Sequence, residues 1–192
     1  EAMILAGKSA NKKNIPVVLD AVGVGATKLR DDKALELLNT IKIDIIKGNA
    51  SEIAKLAGEK VITKGVESTK VEGSLIEIAK KLANKHKSTV VITGKEDVIT
   101  NGQNTYLVKN GHEMMGSIVG TGCMAASIIG AFAGVEKNYA KAAACALACY
   151  GIAGELAASK SQGPGSFHEH FYDESYNLNS DKIEKMARVE ER

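Results

Sequence analysis

Tryptophan is absent, and only three phenylalanines and five tyrosines occur in 192 residues, so any core must be built mainly from aliphatic side chains and alanine. An excess of one charge is equally lacking. The 25 basic and 23 acidic residues leave a formal balance of +2, no electrostatic footprint for nucleic acid or an anionic membrane, and the partner expected is a small molecule. Cysteine is scarce and odd in number. Cys123, Cys145 and Cys149 set no disulfide framework, and a reducing, cytoplasmic compartment fits that usage. Nothing resembles a cleavable secretory leader, so Asn49-Ala50-Ser51 is discounted as a glycosylation acceptor. The apolar stretch from Asn138 to Ser159 is rich in alanine and interrupted by Lys141, Gly151, Gly154 and Glu155. It is expected as a packed helix rather than a membrane span, with Cys145 and Cys149 in the core.

What is present is enough for one sizeable core, and a single domain over 1–192 is expected. Pro16 to Asp20, Asp44 to Ile46 and Thr89 to Thr93 are short apolar runs ending in polar or glycine residues, the pattern of strands buried on both faces. Helix-length segments separate them. Asp31 to Asn39, Ser51 to Ala57 and Ser74 to His86 are amphipathic, the last placing Leu75, Ile78, Ala79 and Leu82 on one face. This alternation predicts an α/β fold with a mostly parallel central sheet flanked by helices. From Asp97 the texture changes. Asn101-Gly102 and Asn110-Gly111 are hairpin signals, predicting an antiparallel ribbon of Val98 to Thr100, Tyr106 to Val108 and His112 to Met115 in the second half. Two long helices follow, Gly122 to Ala133 and Asn138 to Ser159, then a glycine-proline loop at 163–165 and a charged helical stretch.

Ligands of open parallel sheets gather at the carboxyl ends of the strands. Those ends carry Asp20 with Gly23 and Gly25, Lys47 with Gly48 and Asn49, and Thr93 with Gly94. The usual nucleotide fingerprints do not fit. Gly23-x-Gly25 is followed by Lys28 at the third glycine position, and Gly7-Lys8-Ser9 lacks the first glycine of a phosphate loop. Gly120-Thr121-Gly122-Cys123, running into a small and apolar segment, places a flexible turn and a sulfur at a helix start, where free N–H groups stabilise anions. Cys123 is there a candidate proton acceptor and the residues before it a candidate phosphoryl cradle; read alone, they fit a turn with a small buried residue better. Asn49 and Glu52 have the spacing of a capping box, and the same atoms suit water held around Mg2+ on nucleotide phosphates, with Asp20 as a second carboxylate. Thr93-Gly94-Lys95-Glu96-Asp97 reads as a phosphate-contacting turn or as an ordinary strand-to-hairpin loop. His168-Glu169-His170 is expected as a surface pair, since neighbours two apart on a helix point in different directions.

Taken together, Leu19 to Thr27, Lys47 to Ile53, Thr93 to Asp97, Gly120 to Cys123 and Gly163-Pro164-Gly165-Ser166-Phe167 resemble hydroxyethylthiazole kinase, a family of the ribokinase-like superfamily. The likeness runs from the start to about residue 178. It implies a three-layer ribokinase-like fold and transfer of the ATP γ-phosphate to the primary alcohol of 4-methyl-5-(2-hydroxyethyl)thiazole in thiamine salvage, with Mg2+. It implies Cys123 as the base, Gly120 as a substrate contact, Lys47 and Thr93 with Gly94, Thr121 and Gly122 as ATP contacts, and Asp20, Asn49 and Glu52 at the metal. It also implies a homotrimer with sites at subunit interfaces. Lys47 stands where the family usually has arginine, keeping the charge and losing the planar fork. Ala21 stands where proline is usual.

The family's chain carries additional residues before the point where this sequence opens, so the sequence is expected to be N-terminally truncated, with part of the thiazole pocket outside it. The alternatives are a non-catalytic nucleotide-binding fragment of the same fold and a hydroxymethylpyrimidine kinase relative. A cysteine-nucleophile enzyme is disfavoured, because His112 is the one histidine near Cys123 in sequence.

Overall fold

In a computed structural model of the chain, which describes residues 1–59, 61–64, 68–71 and 75–192, the three apolar runs lie side by side. Helix α1 (Ala2–Lys12) leads to strand β1 (Val18–Asp20), α2 (Lys28–Thr40), β2 (Ile45–Asn49) and α3 (Ala50–Leu56). Next come a separate two-stranded ribbon, β3 (Val61–Lys64) and β4 (Ser68–Val71), then α4 (Leu75–His86) and β5 (Thr89–Thr93). Ser74, the expected start of α4, lies outside the described residues. Strands β6 (Asp97–Thr100) and β7 (Thr105–Val108) precede a 3-10 turn (Glu113–Ser117). Helices α5 (Thr121–Val135), α6 (Tyr139–Lys160), α7 (Pro164–Tyr176) and α8 (Ser180–Met186) and strand β8 (Val189–Glu191) complete the order.

The main sheet runs β1-β2-β5-β6-β7-β8. Pairing is parallel from β1 to β5 and antiparallel from β5 to β8, so the sheet is mixed, and the change falls at Asp97. Successive residues of the parallel strands point to opposite faces, and both faces are dry. Ile46, Val90 and Ile92 pack with α2, α3 and α4 residues such as Leu37, Ile53 and Leu82. Ile45, Val91 and Ile99 pack on the other side with α5, α6 and α7, through Ile129, Leu147 and Phe171. That is the three-layer arrangement.

Two expectations about the second half are corrected. His112 to Met115 does not form the ribbon's third strand, because the His112 imidazole accepts from the Met114 amide at 3.2 Å and closes a tight turn instead. The third strand comes from the far end of the chain, where β8 pairs with β7 through Val189 opposite Val108. Asn101-Gly102 does make the hairpin, with Asn101 Oδ1 accepting from the amides of Gln103 and Asn104. The glycine-proline segment is not a loop either. Pro164 begins α7, where its fixed φ and missing N–H cost nothing.

Helix α6 is long and apolar enough to cross a membrane by composition, but 67% of its most apolar stretch is buried within the fold. Its alanines let it lie between the sheet and two helices. Cys145 departs from the core expectation: it is exposed, and Cys149 is half-buried, because that stripe of the helix faces outward.

Candidate functional site

Strand register assembles the site before any side chain is considered. Parallel pairing sets Asp20 opposite Lys47 and Asn49 opposite Thr93, so β2 and β5 finish level and β1 stops two residues short of them at the same end of the sheet. Lys47 is 4% exposed, an unusual place for an ammonium group, and its Nζ lies 2.9 Å from Asp20 Oδ1. A buried cation requires such a partner. The second Asp20 oxygen, Oδ2, is also buried and has no hydrogen-bond partner among the described residues. Buried acceptors are nearly always satisfied, so this atom marks a place for something the chain does not supply.

Helix α5 begins directly over that pair. Gly120 caps it with φ +100°, a left-handed conformation that favours glycine, and contributes no side-chain cap. Met124 is the first residue to close the intrahelical ladder, donating to the Gly120 carbonyl at 2.9 Å. The amides of Thr121, Gly122 and Cys123 precede that ladder, at the positive end of the helix dipole. A methyl group at Gly122 would stand 3.5 Å from Lys47 Nζ, which places the helix start against the lysine. The turn is held from behind. Thr121 Oγ1 donates to the Met115 carbonyl at 3.0 Å, and the Tyr150 hydroxyl donates to the Thr121 carbonyl at 2.9 Å. Burial pushes the Tyr150 phenol well above its ordinary range, so it stays a donor. Cys123 follows in the same turn and is exposed.

Glu52 ties two glycine-bearing turns together. Its Oε2 accepts from the Asn49 amide at 2.8 Å while Asn49 Oδ1 accepts from the Glu52 amide at 2.9 Å, a complete capping box at the start of α3. Its Oε1 accepts from the Gly23 amide at 2.8 Å, in the turn after β1, where φ is +74°. Asn49 Oδ1 takes a further bond from Ser51 at 2.7 Å. Thr93 Oγ1 donates weakly to the Gly48 carbonyl at 3.4 Å, and the Gly94 amide donates to Asp97 Oδ1 at 2.9 Å. Asp97 is buried, and that burial raises its carboxyl to about 7, against the lowering effects of the Gly94 bond and the Lys47 charge.

Asp20, Lys47, Asn49, Glu52, Thr93 and Gly94 therefore occupy one end of the sheet, and the Gly120–Cys123 turn approaches it through Gly122. A hard cation held by few protein groups fits only part of this donor set. Asp20 Oδ2 is free to ligate, whereas both Glu52 oxygens and Asn49 Oδ1 already accept backbone amides. No cluster of three or more His, Cys, Asp or Glu side chains placed to hold a metal ion occurs among the described residues. His168 is exposed and stacks edge-on against Tyr172, consistent with a surface role.

Two contributors escaped the sequence reading. Tyr150 was legible as the second tyrosine of an alanine-rich helix, and the bond from the Gly23 amide to Glu52 had no local signal; Asp97, read within the Thr93–Asp97 turn, carried no role of its own there.

Residues 1–181 match the family described as the hydroxyethylthiazole kinase family. The chain is similar to a hydroxyethylthiazole kinase of Methanosarcina mazei, at 59% identity over 191 residues, covering 100% of this chain and 73% of the relative. One from Desulfatibacillum aliphaticivorans is 50% identical, covering 100% of this chain and 71% of the relative. Among solved structures, the hydroxyethylthiazole kinase protein of Pyrococcus horikoshii OT3 superposes with a TM-score of 0.84 at 36% identity, over 99% of this chain and 70% of the other. The hypothetic protein SMU.573 of Streptococcus mutans, at 13% identity and a TM-score of 0.55, covers 83% of this chain and 55% of its own, and shares the fold alone.

Proposed function

The chain belongs to the hydroxyethylthiazole kinase family, and from that premise we propose that it transfers the γ-phosphate of ATP to the primary alcohol of 4-methyl-5-(2-hydroxyethyl)thiazole, the salvage step of thiamine synthesis. The observation that carries this reading is the buried Lys47–Asp20 pair beneath the first turn of α5, with one Asp20 oxygen left unpartnered.

Each residue then has a stated task. The amides of Thr121 and Gly122, together with Lys47, receive the oxygens of the transferring phosphoryl group, where fixed dipoles are worth most. Thr93 and Gly94 contact the nucleotide, and Gly120 contacts the thiazole alcohol. Cys123 Sγ accepts the hydroxyl proton as the alcohol oxygen bonds to the γ-phosphorus and the bond to the bridging oxygen of ADP breaks. Asp20 holds Mg2+, with Asn49 and Glu52 acting through its water shell. The ion, when bound, offsets charge on the phosphates. Positioning supplies most of the acceleration.

The decisive assay mixes the protein with ATP, Mg2+ and the thiazole alcohol and follows phosphorus by NMR. Equimolar ADP and alcohol phosphate are expected. Binding heat with ATP but none with the alcohol, and no ADP, would replace this reading with that of a non-catalytic nucleotide-binding fragment. Preferential phosphorylation of a hydroxymethylpyrimidine would replace the substrate. A cytoplasmic homotrimer with sites between subunits belongs to the same proposal, and its mass in solution by light scattering tests it.

A further inference from the structure

Asp97 opens β6 just beyond the Thr93–Gly94 turn, and no role given so far uses it. It is 8% exposed, and a buried carboxyl persists only where it holds something in place. Its Oδ1 accepts from the Gly94 amide at 2.9 Å, and the Lys47 charge reaches it from β2. Lys47 itself is bonded to Asp20 of β1 at 2.9 Å. The far side of the Gly94 turn is open. A side chain built at Gly94 would meet only the Glu96 carbonyl, at 3.6 Å, among the described residues.

We propose that Asp97 is a positioning residue for the nucleotide end of the site, fixing the Gly94 amide so that the turn after β5 receives phosphate in a single shape. This rests on the ATP-dependent reading above. Asp97 itself touches no substrate. It acts through Gly94, so removing it should weaken the hold on ATP and leave the chemical step nearly intact.

The test measures KM for ATP and kcat separately in Asp97→Ala and Asp97→Asn, with ATP calorimetry and thermal melting alongside. Asp97→Ala is expected to raise KM for ATP about tenfold, with kcat little changed. Asp97→Asn, which keeps an acceptor for Gly94 and loses the charge, is expected to recover part of that, leaving KM about threefold above the parent. A residue that only stabilises the fold would lower the melting temperature and the active fraction, hence apparent kcat, and leave KM alone. Unchanged KM in either variant, with a parent that binds ATP, overturns this proposal alone. A parent that neither binds ATP nor phosphorylates the alcohol overturns the kinase reading and this proposal with it. If Asp97→Ala does not fold, the Asn variant decides through its KM.

Discussion

A lysine–aspartate pair stands at each end of the parallel strands, and the two pairs differ in what they leave unused. At the amino end, Asp44 takes Lys42 Nζ at 2.7 Å on one oxygen and the Val17 amide at 3.0 Å on the other, while Ser88 donates to the Ile43 carbonyl at 2.6 Å. A cleft of about 500 Å³ opens there, lined by Lys42, Asp44, Lys87, Asn101 and Tyr139, yet Asp44 offers it no free acceptor. At the carboxyl end the exposures are reversed. The lysine is buried, the aspartate keeps an unpartnered oxygen, and a helix start with unpaired amides stands over both. One pair closes its hydrogen bonds within the chain, and the other leaves a buried acceptor open.

The sharpest way to break this contrast is at Cys123. Cys123→Ala is expected to lower kcat by about 10²–10⁴, the range of a lost general base, with ATP affinity retained. Full turnover in Cys123→Ser would assign the proton to another acceptor and leave the kinase reading standing. Next come the two aspartates, which should dissociate function from stability. Asp20→Ala is expected to cost about 2–5 kcal/mol of transition-state binding, read as a loss of about 30- to 4,000-fold in kcat/KM for ATP at fixed Mg2+. Asp44→Ala should leave kcat/KM alone and lower unfolding stability by about 1–3 kcal/mol, because the Val17 amide loses its acceptor. If both variants lose activity equally, or both lose only stability, the two ends are not different in kind.

A smaller effect concerns pH. Burial raises the Asp97 carboxyl from its ordinary value of 3.8 to about 7, so between those values the folded chain binds more protons at this group than the unfolded chain does. The sign follows. Its contribution to stability falls as pH rises through that window and is level above about 7. Asp97→Asn removes the slope. Denaturation of parent and variant at pH 4.5, 6 and 8 should show the difference in stability moving in the variant's favour with rising pH, and a constant difference would refute the raised carboxyl. Glu174, held low by Lys160 and Lys182, gives an opposite slope at more acid pH that cancels in the comparison.

Much of this site could be read from the chain because its parts sit at strand ends. Thr89 to Thr93 was legible as a strand from its β-branched run, and Asn49 with Glu52 as a cap from their spacing, since both signals are local. The resemblance joined Gly120–Cys123 to the same end of the sheet, and Gly122 does approach Lys47 there. What could not be read depends on contacts between distant segments. Strand β8 pairs residues more than 80 positions apart, Glu52 reaches back 29 residues to Gly23, and Asp97 is unusual only because it is buried. The mistaken third ribbon strand had a local cause as well, since the imidazole of His112 bonds to the amide two residues on and diverts the chain into a 3-10 turn. Periodicity carries no trace of such a side-chain bond.

The least effect expected comes from the lysine at the amino end, and its size measures how unlike the two pairs are. Lys42 is 73% exposed at its side chain although it lies 2.7 Å from Asp44. Water and salt screen an exposed ammonium, and ordering its long side chain opposes what attraction remains. Asp44 keeps its bond to the Val17 amide without it. Lys42→Met should therefore change unfolding stability by about 0–1 kcal/mol, a shift of no more than about 4 °C in melting temperature for a chain of this length, and less at high salt. Lys47→Met removes a cation that is 5% exposed and leaves the Asp20 carboxylate beside no ammonium, so its cost should exceed that of Lys42→Met several-fold and change little with salt. Equal salt dependence in the two variants would show that Lys47 is solvated like its counterpart, and the carboxyl end would lose its claim to be the dry one.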